Sequence, residues 1–227
     1  MTKYILNSDL LQIGDVICTR EDAPISRMIR KTLSCDYSHV MIYVAYSTCI
    51  HADGDGVHSI NMQRVIFNDP QDVMVLRHTS FRSMEKDELD KICVYPRSKV
   101  GTEYSVSDAV KAGISAKSKL GPKVDSDYQF CSRLVAESFE YAGLSIFSDP
   151  SLCTPADIQR HPDFILIDNV VKTASHQELE FAKDEKKNTI SKQTHITNRI
   201  IQGSQSIFGN KVVKSVQNFP GSWGKER

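Results

Sequence analysis

Hydrophobic and polar positions along this chain follow two rhythms, one of period two and one near 3.6. The densest run of branched and aromatic residues is Ser38-His39-Val40-Met41-Ile42-Tyr43-Val44-Ala45. His39, Met41 and Tyr43 alternate with Val40, Ile42 and Val44, and both sets are largely apolar. That pattern predicts a central strand buried on two faces. The stretch from Thr48 to Ile60 reads as strand, Gly-rich turn and strand, and the Asp-Gly pairs of Asp53-Gly-Asp-Gly predict a hairpin. Further strands are expected at Val16-Ile17-Cys18 after the Gly14-Asp15 turn, at Val73 to Arg77, and at Phe164 to Asp168.

The helical rhythm appears between them. Pro24 opens a helix whose buried face is expected at Ile25, Met28, Ile29 and Leu33. A second helix runs from Met84 to about Tyr95, with Leu89, Ile92 and Cys93 inward and Pro96 as its end. A polar helix-like stretch follows from Asp108 to about Lys119. Phe130, Leu134, Val135, Phe139 and Ala142 then mark one face of a helix that Asp127 or Ser126 can cap and Gly143 closes. Thr154-Pro155-Ala156-Asp157 is another helix start. Antiparallel strands with segregated helices predict an α+β fold, an antiparallel central sheet packed against helices.

The 227 residues suit one domain with an extension, and a 40% hydrophobic share suffices for a core. Apolar periodicity fades after about residue 170, which divides a body at 1–170 from a polar extension at 171–227, partly helical or flexible. The extension holds ten basic and five acidic residues, the body eighteen and twenty-three. Overall the 28 basic and 28 acidic residues cancel, so no global field selects nucleic acid or a membrane surface. The first residues lack the charged start and long apolar run of a secretory signal, and no apolar run approaches the length of a membrane span. The expectation is a cytoplasmic chain as synthesised, with export only by a route independent of a classical signal.

Six cysteines, at 18, 35, 49, 93, 131 and 153, stand singly, without a C-x-x-C pair, so reduced thiols are expected. Asp53-Gly-Asp-Gly lacks the later acidic positions of a calcium loop and has Arg64 where its closing Glu would stand. Cys131 falls in the first turn of its predicted helix. There the helix dipole favours the reactive thiolate, although a helix cysteine is also a good small buried hydrophobe. His39 at the head of a central strand is either a core residue or a base. His51, His58 and Asp53 are all near enough in the hairpin to serve as a third group. Cys131 as nucleophile, His39 as base and His51 as orienter would form a thiol triad. The same three residue types could hold zinc, though paired ligand spacing is missing.

Six motifs carry a resemblance. Gly14-Asp15-Val-Ile, Ser38-His39-Val-Met-Ile-Tyr-Val, Ile50-His51-Ala, Gly101-Thr-Glu-Tyr104, Phe130-Cys131-Ser132-Arg-Leu-Val135 and Thr154-Pro155-Ala-Asp157 occur in an order similar to circularly permuted NlpC-type papain-like hydrolases. The chain resembles their YiiX-like branch most, and also the related lecithin:retinol acyltransferase-like branch, over roughly residues 10–160. The resemblance implies a papain-like fold and a cysteine hydrolase without cofactor or metal. Its implied catalytic residues are Cys131, His39 and His51, with the backbone N–H of Cys131 as an oxyanion donor and with Tyr104 and Ser132 supporting substrate or oxyanion. Its implied activity is that of an amidase or peptidase on peptide-like substrates, cell-wall peptidoglycan among them, in an enzyme that could be an exported effector or toxin. Two other readings stand beside it: a lipid acyl hydrolase or acyltransferase, and a binding protein that kept the fold without chemistry. An inhibitor or immunity partner is compatible with the effector reading, and nothing in the chain specifies one.

Overall fold

A computed structural model describes residues 1–53, 56–102 and 127–183, with backbone alone at 25 and 127–130. Two compact units emerge, Met1–Leu179 and Glu180–Arg227. The first contains a six-stranded sheet and a small ribbon. Its strands are β1 (Tyr4–Leu6), β2 (Val16–Thr19), β3 (His39–Ala45), β4 (Thr48–Asp53), β5 (Gly56–Asn61), β6 (Val73–His78), β7 (Phe164–Leu166) and β8 (Val171–Thr173). Its described helices are α1 (Pro24–Leu33), α2 (Lys86–Lys99), α3 (Asp127–Tyr141) and α4 (Pro155–Arg160). The sheet runs β5-β4-β3-β2-β6-β7 with every neighbour antiparallel. The α+β expectation and the central place of β3 therefore hold.

Strand alternation sorts the core into two layers. Val40, Ile42 and Val44 join Val16, Cys18, Ile50 and Ala52 beneath Cys131, Leu134, Val135 and Phe139 of α3. Met41 and Tyr43 face the other way, with Ile17, Cys49, Val73 and Val75, and are covered by Leu6, Met62, Phe67 and Val170. Burial on both faces explains why β3 reads as a continuous apolar run. Gly14 precedes β2 at φ +87°, and a Cβ there would lie 2.7 Å from the Phe81 ring, so the turn requires glycine twice over.

Four expectations change. The body extends past residue 170, because β8 pairs with β1 across Leu6↔Val171 and Tyr4↔Thr173. Three residues with one apolar side chain give no periodic signal, and their partner lies at the far end of the chain. Pro96 does not end α2, which continues to Lys99. The proline removes one donor near the end of the helix. The last turn is held instead by Arg97 Nη2 donating to Val44 O at 2.6 Å and Tyr95 Oη donating to Glu137 Oε2 at 2.6 Å. Met28 is 45% exposed while Ile29 is buried. The inward stripe of α1 passes through the polar Ser26, whose hydroxyl meets Ser38 Oγ at 2.6 Å, and apolar spacing could not reveal that. The strand expected over Phe164 to Asp168 stops at Leu166 as β7.

The Thr154 cap forms as expected, a full capping box with Asp157. Gly143 adopts φ +86° just past α3, the left-handed cap its position predicts. The helix-like stretch 108–119 and most of the extension lie outside the described residues. Among the described residues, no helix is long and apolar enough to cross a membrane.

Candidate active site

The site is assembled at one end of the sheet, where β3 begins and β4 ends. His39 is the first residue of β3 and pairs with Thr19 of β2. The hairpin brings His51 of β4 beside it, and His51 stands directly opposite His58 of β5. His39 Nε2 and His51 Nδ1 are 3.2 Å apart, with ring planes at 89°. That is a hydrogen bond, so one of the two nitrogens carries the proton. Among the described contacts the other nitrogen of His39, Nδ1, has no hydrogen bond.

Burial sets the charge of the pair. It lowers the His39 pKa to about 4, His51 adds to the depression, and Asp53 opposes it. His51 is also lowered, by burial first, with Asp53 opposing and His58 adding. Both rings are therefore neutral at pH 7. A neutral His39 that donates from Nε2 to His51 must present a bare Nδ1, the form a general base needs.

This depression has a consequence for stability. An unfolded histidine titrates near about 6.5, so as pH falls below that value the unfolded chain binds a proton that folded His39 refuses. Stability drops from about pH 6.5 to about pH 4 and changes no further from this group below that. Urea unfolding at pH 7 and pH 4.5 is expected to show that wild type loses about 2 kcal/mol more than His39→Gln over this span. Equal losses in the two proteins would contradict the burial assignment.

Cys131 reaches the same end of the sheet on α3. Its thiol is fully buried, and it packs in the same core layer as Cys18 and Cys153. Burial raises the thiol pKa of Cys18 and Cys153, and each is raised further by Cys131. Cys18 pairs with Val40, one rung from the Thr19–His39 rung. Strand alternation sends His39 and His51 to the side of Met41 and Cys49, whereas Cys131 lies on the side of Val40. The structure thus joins the two imidazoles directly and places the thiol in the core layer on the other side of β3. The described contacts include no bond from either ring to the thiol.

Two expected supports change. Cys131 is the fifth residue of α3, not a first-turn residue. In a helix the first four N–H groups are open and the fifth meets the first carbonyl, so the Cys131 N–H is not an open oxyanion donor. Ser132 is fully buried, and its hydroxyl donates to Cys153 O at 2.6 Å. Its side chain ties α3 to the segment before α4. Tyr104 lies outside the described residues.

Asp53 and His58, open alternatives in the sequence, both belong to the cluster. Asp53 Oδ2 lies 3.8 Å from His51 Nδ1, and Oδ1 lies 3.3 Å from His58 Nε2. The hairpin alternation at 51, 53 and 58 contained that signal. Among the described residues, no group of three or more His, Cys, Asp or Glu side chains is arranged to hold a metal ion.

No protein-family model matches the sequence. No curated protein matches it either. Among solved structures, the metalloprotein yiiX from Escherichia coli O157:H7, a DUF1105 protein, is similar over 69% of this chain and 96% of its own. Identity is 16% and the TM-score is 0.48, a likeness too distant to carry an argument about chemistry.

Proposed function

We propose that this chain is a thiol hydrolase that opens an acyl bond through a covalent acyl-cysteine, with Cys131 as nucleophile, His39 as base and His51 as the group that orients the base. The observation that carries this reading is the 3.2 Å bond between His39 Nε2 and His51 Nδ1. It fixes the ring of a neutral histidine and, in the tautomer in which Nε2 donates, leaves Nδ1 as the proton-accepting atom. Cys131 packs in the same core layer as Cys18, whose rung adjoins that of His39. The motif order that resembles permuted NlpC-type hydrolases supports the same three residues.

The steps follow from these roles. The Cys131 proton passes to His39 Nδ1, and the thiolate sulfur bonds to the carbonyl carbon of the substrate. The tetrahedral intermediate collapses, the C–N bond breaks, and His39 returns the proton to the leaving amine. Water then attacks the thioester carbon, gives a proton to His39, and releases the acid as the thiol re-forms. His51 accepts from His39 Nε2 throughout and so holds the ring against rotation.

The substrate class that goes with the resemblance is a peptide-like amide, cell-wall peptides included. Peptide amides, peptidoglycan fragments and acylated lipids offered to wild type and Cys131→Ala separate the readings. Expected is amide turnover that falls at least about 1,000-fold in Cys131→Ala. Amide turnover that survives the substitution removes the assignment. Turnover of lipid esters alone would move the chemistry to acyl transfer.

A further inference from the structure

The imidazole pair faces a carboxylate that the thiol mechanism leaves without a task. Asp53 ends β4 two residues after His51, on the same face of the sheet. Its Oδ2 lies 3.8 Å from His51 Nδ1, the same nitrogen that meets His39 Nε2 at 3.2 Å. Its Oδ1 lies 3.3 Å from His58 Nε2. The titratable groups around the pair are therefore Asp53 from β4 and His58 from β5.

We propose that Asp53 is a positioning residue that holds the positive charge of the His39–His51 pair once it has taken a proton, with His58 fixing the carboxylate in place. The use made of that charge rests on the reading of Cys131 as nucleophile; the contact itself does not.

The ring nitrogen that the carboxylate faces, His51 Nδ1, is the one shared with His39. With His39 Nε2 as the donor, as the proposed function requires, His51 Nδ1 is the acceptor of the neutral pair, and an anion beside an acceptor lone pair gains nothing. When His39 Nδ1 takes the thiol proton, the extra charge spreads along the Nε2–H···Nδ1 bond. Its centre then lies between the rings, beside Asp53. An anion at this separation in a partly solvated site raises proton affinity. Asp53 is 44% exposed, so solvent screens much of the attraction, and about three- to tenfold in proton affinity is expected. His58 supplies the second observation. Its Nε2 is buried and makes no hydrogen bond, although it lies 3.3 Å from Asp53 Oδ1. The contact is a close approach rather than a directed bond, and it limits where the carboxylate can turn.

The test reads the rings themselves. Proton–nitrogen correlation spectra of the histidine rings, recorded on the whole protein from pH 3 to 8, give the proton affinity of the pair. Asp53→Asn is expected to lower it about three- to tenfold, Asp53→Glu to keep it within about twofold of wild type, and His58→Gln to fall between them. An unshifted pair in Asp53→Asn, or a pair in Asp53→Glu that titrates as in Asp53→Asn, overturns the proposal. The Glu variant retains the charge and serves where the Asn variant fails to fold. Alkylation of Cys131 at pH 7 is measured on the same samples and should slow about three- to tenfold in Asp53→Asn. A ring shift without slower alkylation overturns Cys131 as the proton donor while leaving the Asp53 contact established. An absent ring shift removes Asp53 whatever the thiol does.

Discussion

His39→Gln will slow alkylation of Cys131 at neutral pH by about 100-fold or more, and turnover by about 100- to 10,000-fold. A fully buried cysteine without a base is held as the inert thiol, as burial holds Cys18 and Cys153. Within the proposed triad only a ring nitrogen of His39 can take its proton. Glutamine preserves the size of the side chain and donates from its amide to His51, yet has no site of useful basicity. His51→Gln should act more mildly, because it removes the orienter and leaves the base. The other five cysteines provide the internal control, since their labelling should be unchanged by either substitution. The two core layers sharpen the test. If the thiol and the imidazole stay on their separate sides of β3, His39→Gln leaves the Cys131 rate where it was.

The largest effect on stability is expected at Arg77→Met, about 3–5 kcal/mol at pH 7 by urea unfolding. Asp15 is fully buried beside the turn that opens β2. Its carboxylate accepts from Arg77 Nε at 2.7 Å, Arg77 Nη2 at 2.7 Å and the Gln12 N–H at 2.7 Å. Burial raises its pKa and the arginine pulls it back down. Arg77 also donates to Leu10 O at 3.0 Å, which ties the N-terminal segment to β6. Removing the guanidinium leaves a buried anion with one backbone donor. Since the folded carboxyl then titrates above its unfolded value, the deficit should shrink as pH falls and Asp15 protonates in both states. Asp15→Asn with Arg77→Met should recover part of the loss at pH 7. An Arg77→Met protein within 1 kcal/mol of wild type would contradict this account of the pair.

These residues show what the chain discloses about itself. Local rules found β3, the β4–β5 hairpin, the apolar face of α3 and the Thr154 cap, because each is set by neighbours within a few positions. They also found both imidazoles, since the hairpin that pairs β3 with β4 makes residues 39 and 51 meet. Contacts between distant parts were not legible. Gly14-Asp15 reads as a turn, and only the fold reveals Arg77, 62 positions away, as its partner. Ser132 reads as part of a cysteine motif until the fold sets its hydroxyl on Cys153. Met28 has the right spacing for the core and loses its place to a serine. The depth of Cys131 in α3 depends on where the helix begins, and capping signals at 126 and 127 fix that only to within a turn.

The most direct test of the central claim is covalent capture. The protein is mixed with an activated acyl ester at pH 7, quenched in acid, and the acylated peptide is mapped by mass spectrometry. The account predicts one acyl group on Cys131, formed quickly in wild type, scarcely formed in His39→Gln and absent in Cys131→Ala. Acylation spread over the accessible thiols, or on Cys131 at the same rate with and without His39, would contradict it.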